Sequence, residues 1–122
     1  WLNKTKPTFN ENEFFKIYID FNRQKLIKRI LIRTVKMLQS GAINEVRRFS
    51  SKKIKRDASV NKVIGVNELK KYLRSQITLE EVKELISIRT RQYAKRQATW
   101  ARSRMLSWNK INSNEIPSLI KK

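Results

Sequence analysis

A chain of 122 residues is enough for one modest domain, and its 39% hydrophobic content supplies a core, though a thin one. Its 29 Lys and Arg against 10 Asp and Glu leave a formal charge of +19, more than solubility requires, and an anionic partner, nucleic acid first, would compensate it. The absence of Cys and His excludes disulfides, thiolate nucleophiles, ordinary zinc sites and a histidine base. A compositional drift towards Lys, Asn and Ile accounts for part of the charge, yet the arginines are undiluted and cluster. No run approaches the roughly 18 apolar residues of a membrane span, and no signal-peptide core is present, which implies a cytoplasmic protein with no membrane partner. A basic helix lying on anionic lipid is the lesser alternative. The chain begins at Trp1 rather than Met and is expected to be a piece of something longer or a processed product.

Residues 1–13 are polar around Pro7 and read as a linker. Phe14 to Asp20 partly alternates and is rich in aromatic and β-branched residues, which predicts a short strand, so residues 1–22 form the end of a truncated preceding region. Asn22 can cap a helix from Arg23 to about Gln39, with Leu26, Ile30, Val35, Met37 and Leu38 on its apolar side and Gly41 just past its end. A shorter helix, Ala42 to about Phe49, follows. Ser50 to Asn61, with Lys52, Lys53, Lys55 and Arg56, is a loop that is either a solvated connector or a phosphate-contacting arm. Val63 to Val66 is a compact apolar turn, after which Asn67 caps a helix of about two turns, Glu68 to Arg74. Thr78-Leu-Glu-Glu81 has capping-box spacing and opens the longest helix, running to about Arg104. Met105 to Trp108 is a candidate extended piece, and residues 109–122, with Pro117, form a weakly ordered tail. The fold class is mainly α with one or two short strands that lack a partner within the chain. An isolated strand is unstable in water, so a missing sheet is expected.

The stretch from Arg89 to Arg102 carries the most information, because five basic residues alternate there with an aromatic and polar set. At 100° per residue, Arg91, Lys95 and Arg102 form one basic stripe. Val82, Leu85, Ile86, Tyr93 and Trp100 form the opposite, apolar side, and Arg89, Arg96 and Gln97 fall on that side. A charge on a core-facing stripe costs on the order of several kcal/mol unless it is paired or faces a ligand channel.

Reactive chemistry is harder to find. With only Gly41 and Gly65 there is no G-x-x-x-x-G-K-[ST] loop, and acids such as Glu68, Glu80, Glu81 and Glu84 sit at helix starts, where the helix dipole explains them. These residues bind; they do not obviously react.

Four motifs occur in order: Arg29-Ile-x-x-Arg33; Met37-Leu-x-x-Gly41-Ala-x-x-Glu45-Val46; Ile64-Gly65-Val66-x-Glu68-Leu69-x-x-Tyr72-Leu73; and Thr90-Arg91-Gln92-Tyr93-Ala94-Lys95-Arg96-Gln97-x-Thr99-Trp100-x-Arg102. From about residue 23 to 108 the chain resembles the C-terminal part of the tRNA dimethylallyltransferases, also called tRNA isopentenyltransferases. The Tyr-Ala-Lys-Arg-Gln-x-Thr-Trp run is the most diagnostic piece. The resemblance implies a P-loop-type α/β transferase whose core sheet, P-loop and carboxylate base lie outside this chain. That enzyme moves a dimethylallyl group from dimethylallyl diphosphate to N6 of the adenosine 3′ of the tRNA anticodon, with Mg2+ whose ligands are not in this chain. It also implies that residues 23–108 are a helical tRNA-binding region. Lys95, Arg96, Gln97, Thr99, Trp100 and Arg102, with Arg91 beside them, match the family's tRNA-contacting helix. Cations suit phosphates, an amide suits a base edge, and Trp suits stacking on a base taken out of its stack. Asn61 to Val66, through Lys62, Ile64, Gly65 and Val66, matches a second tRNA-contacting segment, the alternative for Gly65 being a simple turn; Arg29 and Arg33 match positions of which at least one is expected to meet the diphosphate, the alternative being surface salt bridges. No catalytic residue is expected within the chain.

Three positions depart from the family pattern: Val66 replaces an aromatic, Ser75-Gln76 replaces Gly-Glu, and Ala101 replaces a bulky apolar residue. The implied partners are the tRNA anticodon stem-loop, dimethylallyl diphosphate and a separately encoded N-terminal half. The alternatives are a non-enzymatic basic RNA-binding protein or a degenerate remnant of the enzyme, and a helical DNA-binding module on charge alone.

Overall fold

The computed structural model describes residues 8–52, 55 and 58–112. They fall into two compact units: residues 22–99, which hold most of the helices, and residues 8–21 with 100–112.

The helical unit opens with α1, Arg23–Met37, whose start is fixed by Asn22. Asn22 Oδ1 accepts from the amides of Gln24 at 2.9 Å and Lys25 at 3.1 Å, satisfying two donors that a helix start leaves orphaned. Ile30 and Thr34 are the buried residues of α1, and the Thr34 hydroxyl donates to the Ile30 carbonyl at 2.9 Å, so a polar side chain is buried without an unmet donor. A wide turn over Leu38–Ala42 separates α1 from α2, Ile43–Ser50. Gly41 makes that turn at φ 102°, a conformation that favours glycine.

α3, Val66–Leu73, starts two residues earlier than expected. Its cap is Gly65 at φ 103° rather than Asn67, and Glu68 Oε2 accepts the Gly65 amide at 3.0 Å. This is the carboxylate half of a capping box on a residue that has no side chain to return the bond. Asn67 instead donates from Nδ2 to the Asn61 carbonyl at 3.2 Å. α4, Leu79–Arg104, opens as predicted. The Thr78 amide donates to Glu81 Oε2 at 2.7 Å and the Glu81 amide to Thr78 Oγ1 at 3.3 Å.

The core joins Ala42 and Val46 with Leu69 of α3 and Val82 and Ile86 of α4, and Ile64, Tyr72 and Ile77 pack against it. Leu69 and Val82 are essentially sealed from water, at 2% and 0% exposure, and burying side chains of this size is worth about 1.5–3 kcal/mol each.

In the other unit, β1, Ile17–Asp20, pairs in parallel with β2, Asn109–Asn112, in the register Ile17 to Asn109 through Asp20 to Asn112. The expectation of a strand with no partner in the chain is therefore wrong. Residues 105–108, expected to be extended, form a turn in which the Trp108 amide donates to the Met105 carbonyl at 3.2 Å, and the strand lies just beyond it. β2 escapes notice in the sequence because Ile111 is its only apolar residue. Lys110 Nζ meets Asp20 Oδ2 at 2.7 Å across the pair. Before β1, a single turn over Glu11–Glu13 precedes Phe14, whose ring meets Phe9 edge-on at 5.9 Å. The Pro7 end of the expected linker, Lys53 and Arg56 of the basic loop, and the tail from residue 113 with Pro117 lie outside the described residues.

Candidate nucleic-acid interface

The sequence pattern places an inner stripe on the C-terminal half of α4, and the residues that occupy it are small. After Val82 and Ile86, the less exposed positions are Ser87, Ile88, Thr90, Ala94, Ala98 and Ala101, all short but Ile88. Ser87 and Thr90 donate their hydroxyls to the Lys83 and Ile86 carbonyls, each at 2.7 Å, which lets them sit inward. Tyr93 and Trp100, expected on the apolar side, are instead 50% and 57% exposed. At 100° per residue Trp100 projects onto the same line as Val82, so the rings keep the direction of the stripe at the start of α4, while the less exposed positions further along, Thr90, Ala94, Ala98 and Ala101, lie to one side of that line.

The exposed residues of this half of α4 include Arg91, Lys95, Arg96, Gln97, Thr99, Trp100 and Arg102, and at 100° per residue they take two sides of the helix: Arg91, Lys95 and Arg102 on one, Arg96, Gln97 and Trp100 with Tyr93 on the other. No carboxylate interrupts it from Leu85 to Arg104. The Arg96 guanidinium lies over the Tyr93 ring, 5.9 Å from its centroid, so a cation and an aromatic form one platform. Trp100 presents a second ring one helical repeat further on.

Arg89 resolves differently from Arg96 and Gln97. Its guanidinium pairs with Glu68, whose side chain is only 3% exposed. The charge on the inner side of α4 is thus neutralised from α3. The same carboxylate holds the Gly65 amide, so the segment from Lys62 to Val66 is tied to α4. A Cβ at Gly65 would meet Ile86 Cδ1 at 3.4 Å, which shows how closely that turn lies on the helix. Within the segment Lys62 is exposed, Ile64 and Val66 are half-buried, and Gly65 is buried. Serving the helix start is the role the Gly65-x-x-Glu68 spacing signals for Glu68; its pairing with Arg89, 21 residues on, has no local signal in the sequence.

Asn61, which the sequence marks only as the boundary of the basic loop and of the second segment, has a structural role of its own. Its side-chain amide donates to the Lys55 carbonyl at 2.9 Å and its Oδ1 accepts from Lys70 Nζ at 3.0 Å, fastening the end of the basic loop to α3. Arg29 and Arg33 lie one turn apart on the exposed side of α1. Ser75, where the family pattern has glycine, stands at φ 57°, the left-handed region that glycine adopts without strain. Ala101 is 6% exposed, so its small size is used where a bulky residue was expected.

Among the described residues no three His, Cys, Asp or Glu side chains converge into a cluster. No helix among them is long and apolar enough to cross a membrane.

Residues 1–104 match the IPP transferase family. The chain is 57% identical over its full length to the tRNA dimethylallyltransferase of Pelagibacter ubique and 36% identical over 98% of its length to that of Wolbachia pipientis. It spans 39% and 40% of those two proteins, about two fifths of their length. Among solved structures it resembles the full-length tRNA isopentenylpyrophosphate transferase of Bacillus halodurans, with a TM-score of 0.71 and 32% identity over 80% of this chain and 31% of the other. It also resembles the tRNA delta(2)-isopentenylpyrophosphate transferase of Staphylococcus epidermidis, with a TM-score of 0.72 and 29% identity over 88% of this chain and 38% of the other. The small inner stripe, the exposed cations and rings of α4 and the glycine turn pinned to that helix are thus carried on a backbone shared with these transferases, and the chain belongs to the IPP transferase family.

Proposed function

We propose that this chain is the RNA-gripping part of a tRNA prenyltransferase that moves a dimethylallyl group from dimethylallyl diphosphate to N6 of the adenosine 3′ of the anticodon. The observation that carries this reading is the exposed surface of the C-terminal half of α4, which sets a stripe of cations on one side of the helix and two rings with Arg96 and Gln97 on the other, without a single acid. Arg91, Lys95 and Arg102 would neutralise phosphates on the strand; Gln97 would meet a base edge; Trp100 would stack on or line the pocket of a base drawn out of its stack. Gly65, held against α4 through Glu68, would let a backbone approach closely from the other segment. Arg29 and Arg33 would meet the diphosphate, to which guanidinium groups bind in a fork.

The transfer itself forms a bond from N6 to C1 of the dimethylallyl group as diphosphate leaves, and the N6 proton must pass to a base. The chain has no His or Cys, and Asp20, Glu68, Glu80 and Glu81 are engaged in ion pairs or at a helix cap, so this reading assigns the base and any magnesium ligands to the remainder of the enzyme. Exposed Phe14, Phe15, Ile17 and Ile19 fit this division, because a two-stranded pair is marginal alone and needs a larger sheet or another layer to cover it.

The 122-residue chain incubated with dimethylallyl diphosphate and a cognate tRNA should bind the tRNA and yield no modified adenosine. Modified product from the chain alone would overturn the assignment of the chemistry elsewhere. In the full-length enzyme, Trp100→Ala should lower prenylation more than tRNA binding, because its side chain is exposed and little folding energy rests on it. Equal loss of folding and activity would make Trp100 a packing residue instead.

A further inference from the structure

The helical unit carries a second cationic concavity, apart from the exposed surface of α4. It lies between the C-terminal ends of α2 and α3, encloses about 360 Å3, and is lined by Arg47, Lys52, Lys70 and Arg74 together with Phe49 and Asn61. Among the described residues, no Asp or Glu lines it. Helix dipoles favour cations at helix ends, but Arg48 and Lys71 occupy the same last turns and would serve that purpose without facing the groove. Four cations around one hollow repel one another unless an anion fills it.

The chemistry of that anion can be narrowed. Lys70 is held in place by Asn61 Oδ1 at 3.0 Å, and its ammonium lies over the Phe49 ring, 4.9 Å from the centroid. The aromatic face in this groove is therefore occupied, and it offers no platform for an unstacked base. That contrasts with α4, where Trp100 exposes its ring. A site with cations and no free ring reads charge and spacing, which is how a base-paired stem presents itself, whereas single-stranded RNA is gripped through aromatic stacking. We propose that this groove binds the phosphate backbone of an RNA duplex, so that the chain holds a paired stem on the α2–α3 side and an unpaired segment on α4. The proposal rests on the RNA-binding reading above.

The test uses the 122-residue chain with a short blunt-ended RNA duplex and a single-stranded RNA of equal length, titrated between about 50 and 200 mM salt. Removing three exposed groove cations together (Arg47→Gln, Lys52→Gln, Arg74→Gln) should weaken duplex binding at least about tenfold at low salt. It should also lower the slope of log affinity against log salt by about two to three, close to one for each phosphate no longer neutralised. Single-strand binding should change by less. A triple variant on α1 (Lys25→Gln, Lys28→Gln, Lys36→Gln) removes the same charge outside the groove and should leave most of the duplex slope intact. Equal losses from the two triple variants would reduce the groove to bulk charge and overturn the proposal. Duplex binding unchanged in the groove variant, with single-strand binding still lost on Lys95→Gln, would overturn the groove and leave the α4 reading standing. Failure of the unaltered chain to bind either RNA would overturn both.

Discussion

Glu68 exposes 3% of its side chain, and its two oxygens serve different masters: Oε2 takes the Gly65 amide and Oε1 faces the Arg89 guanidinium. Arg89 is 51% exposed at its side chain, so the pair is buried on one side only. That asymmetry gives a directional prediction. Arg89→Met strands a carboxylate in the interior with one amide for company and should cost about 3 kcal/mol, the lower end for breaking a buried pair. Glu68→Gln keeps an acceptor for Gly65 and frees an arginine that can reach water, so it should cost about 1 kcal/mol. Urea denaturation of the two variants measures the ordering, and an equal or reversed cost would mean that the exposed cation, not the buried carboxylate, carries the desolvation. The same linkage ties the Gly65 turn to α4 at Arg89, so the turn cannot leave that part of the helix without breaking it.

At the scale of elements, α4 is anchored at its start by the reciprocal bonds of Thr78 and Glu81. The Thr78 amide and then its hydroxyl, both bonded to Glu81, hold the Glu81 carboxyl below its ordinary value of 4.5. A carboxyl depressed on folding contributes stability that is complete above its unfolded pKa and is lost as pH falls through the lowered folded value. Hydrogen exchange at the Thr78 amide should therefore stay protected through neutral and mildly acidic pH and open only in acid below 4.5; loss of protection at neutral pH would show that the carboxylate does not hold the cap. Caps of this kind were readable in the sequence, because Asn22 and Thr78-x-x-Glu81 act on amides two or three residues away. Gly65 is not legible as a cap, since its contribution is a backbone conformation and the bond comes from the Glu68 carboxylate rather than from a cap side chain. The exposure of Tyr93 and Trp100 was misjudged because a projection assumes that large apolar residues face in, whereas small residues fill the inner stripe here. Least legible were features that depend on distant segments meeting: β2, with three polar residues of four, and the groove built from Arg47, Lys52, Lys70 and Arg74.

For the whole molecule, a charge of +19 on 122 residues sets two salt responses against each other. Exposed ion pairs such as Lys83 with Glu80 at 3.2 Å weaken as salt rises, but pairs of this kind are worth about 0–1 kcal/mol. The excess cations repel one another over longer distances, and salt screens that repulsion once the Debye length falls to about 8 Å near 0.15 M. Repulsion outweighs attraction here, because 29 basic residues have only 10 acids to pair with. Without RNA, the chain should therefore gain on the order of 1 kcal/mol between very low salt and 0.15 M, about 3–6 °C in melting temperature for a domain of this size. With tRNA present the trend should reverse. Binding to the folded state stabilises it by mass action, and that stabilisation falls as salt competes for the phosphates. The two melting curves, measured by circular dichroism across a salt series, should converge at high salt and separate most at low salt. A melting temperature that falls with salt in the absence of RNA would mean that local ion pairs outweigh the net repulsion, and the cationic surface would then be a structural feature rather than one waiting for a polyanion.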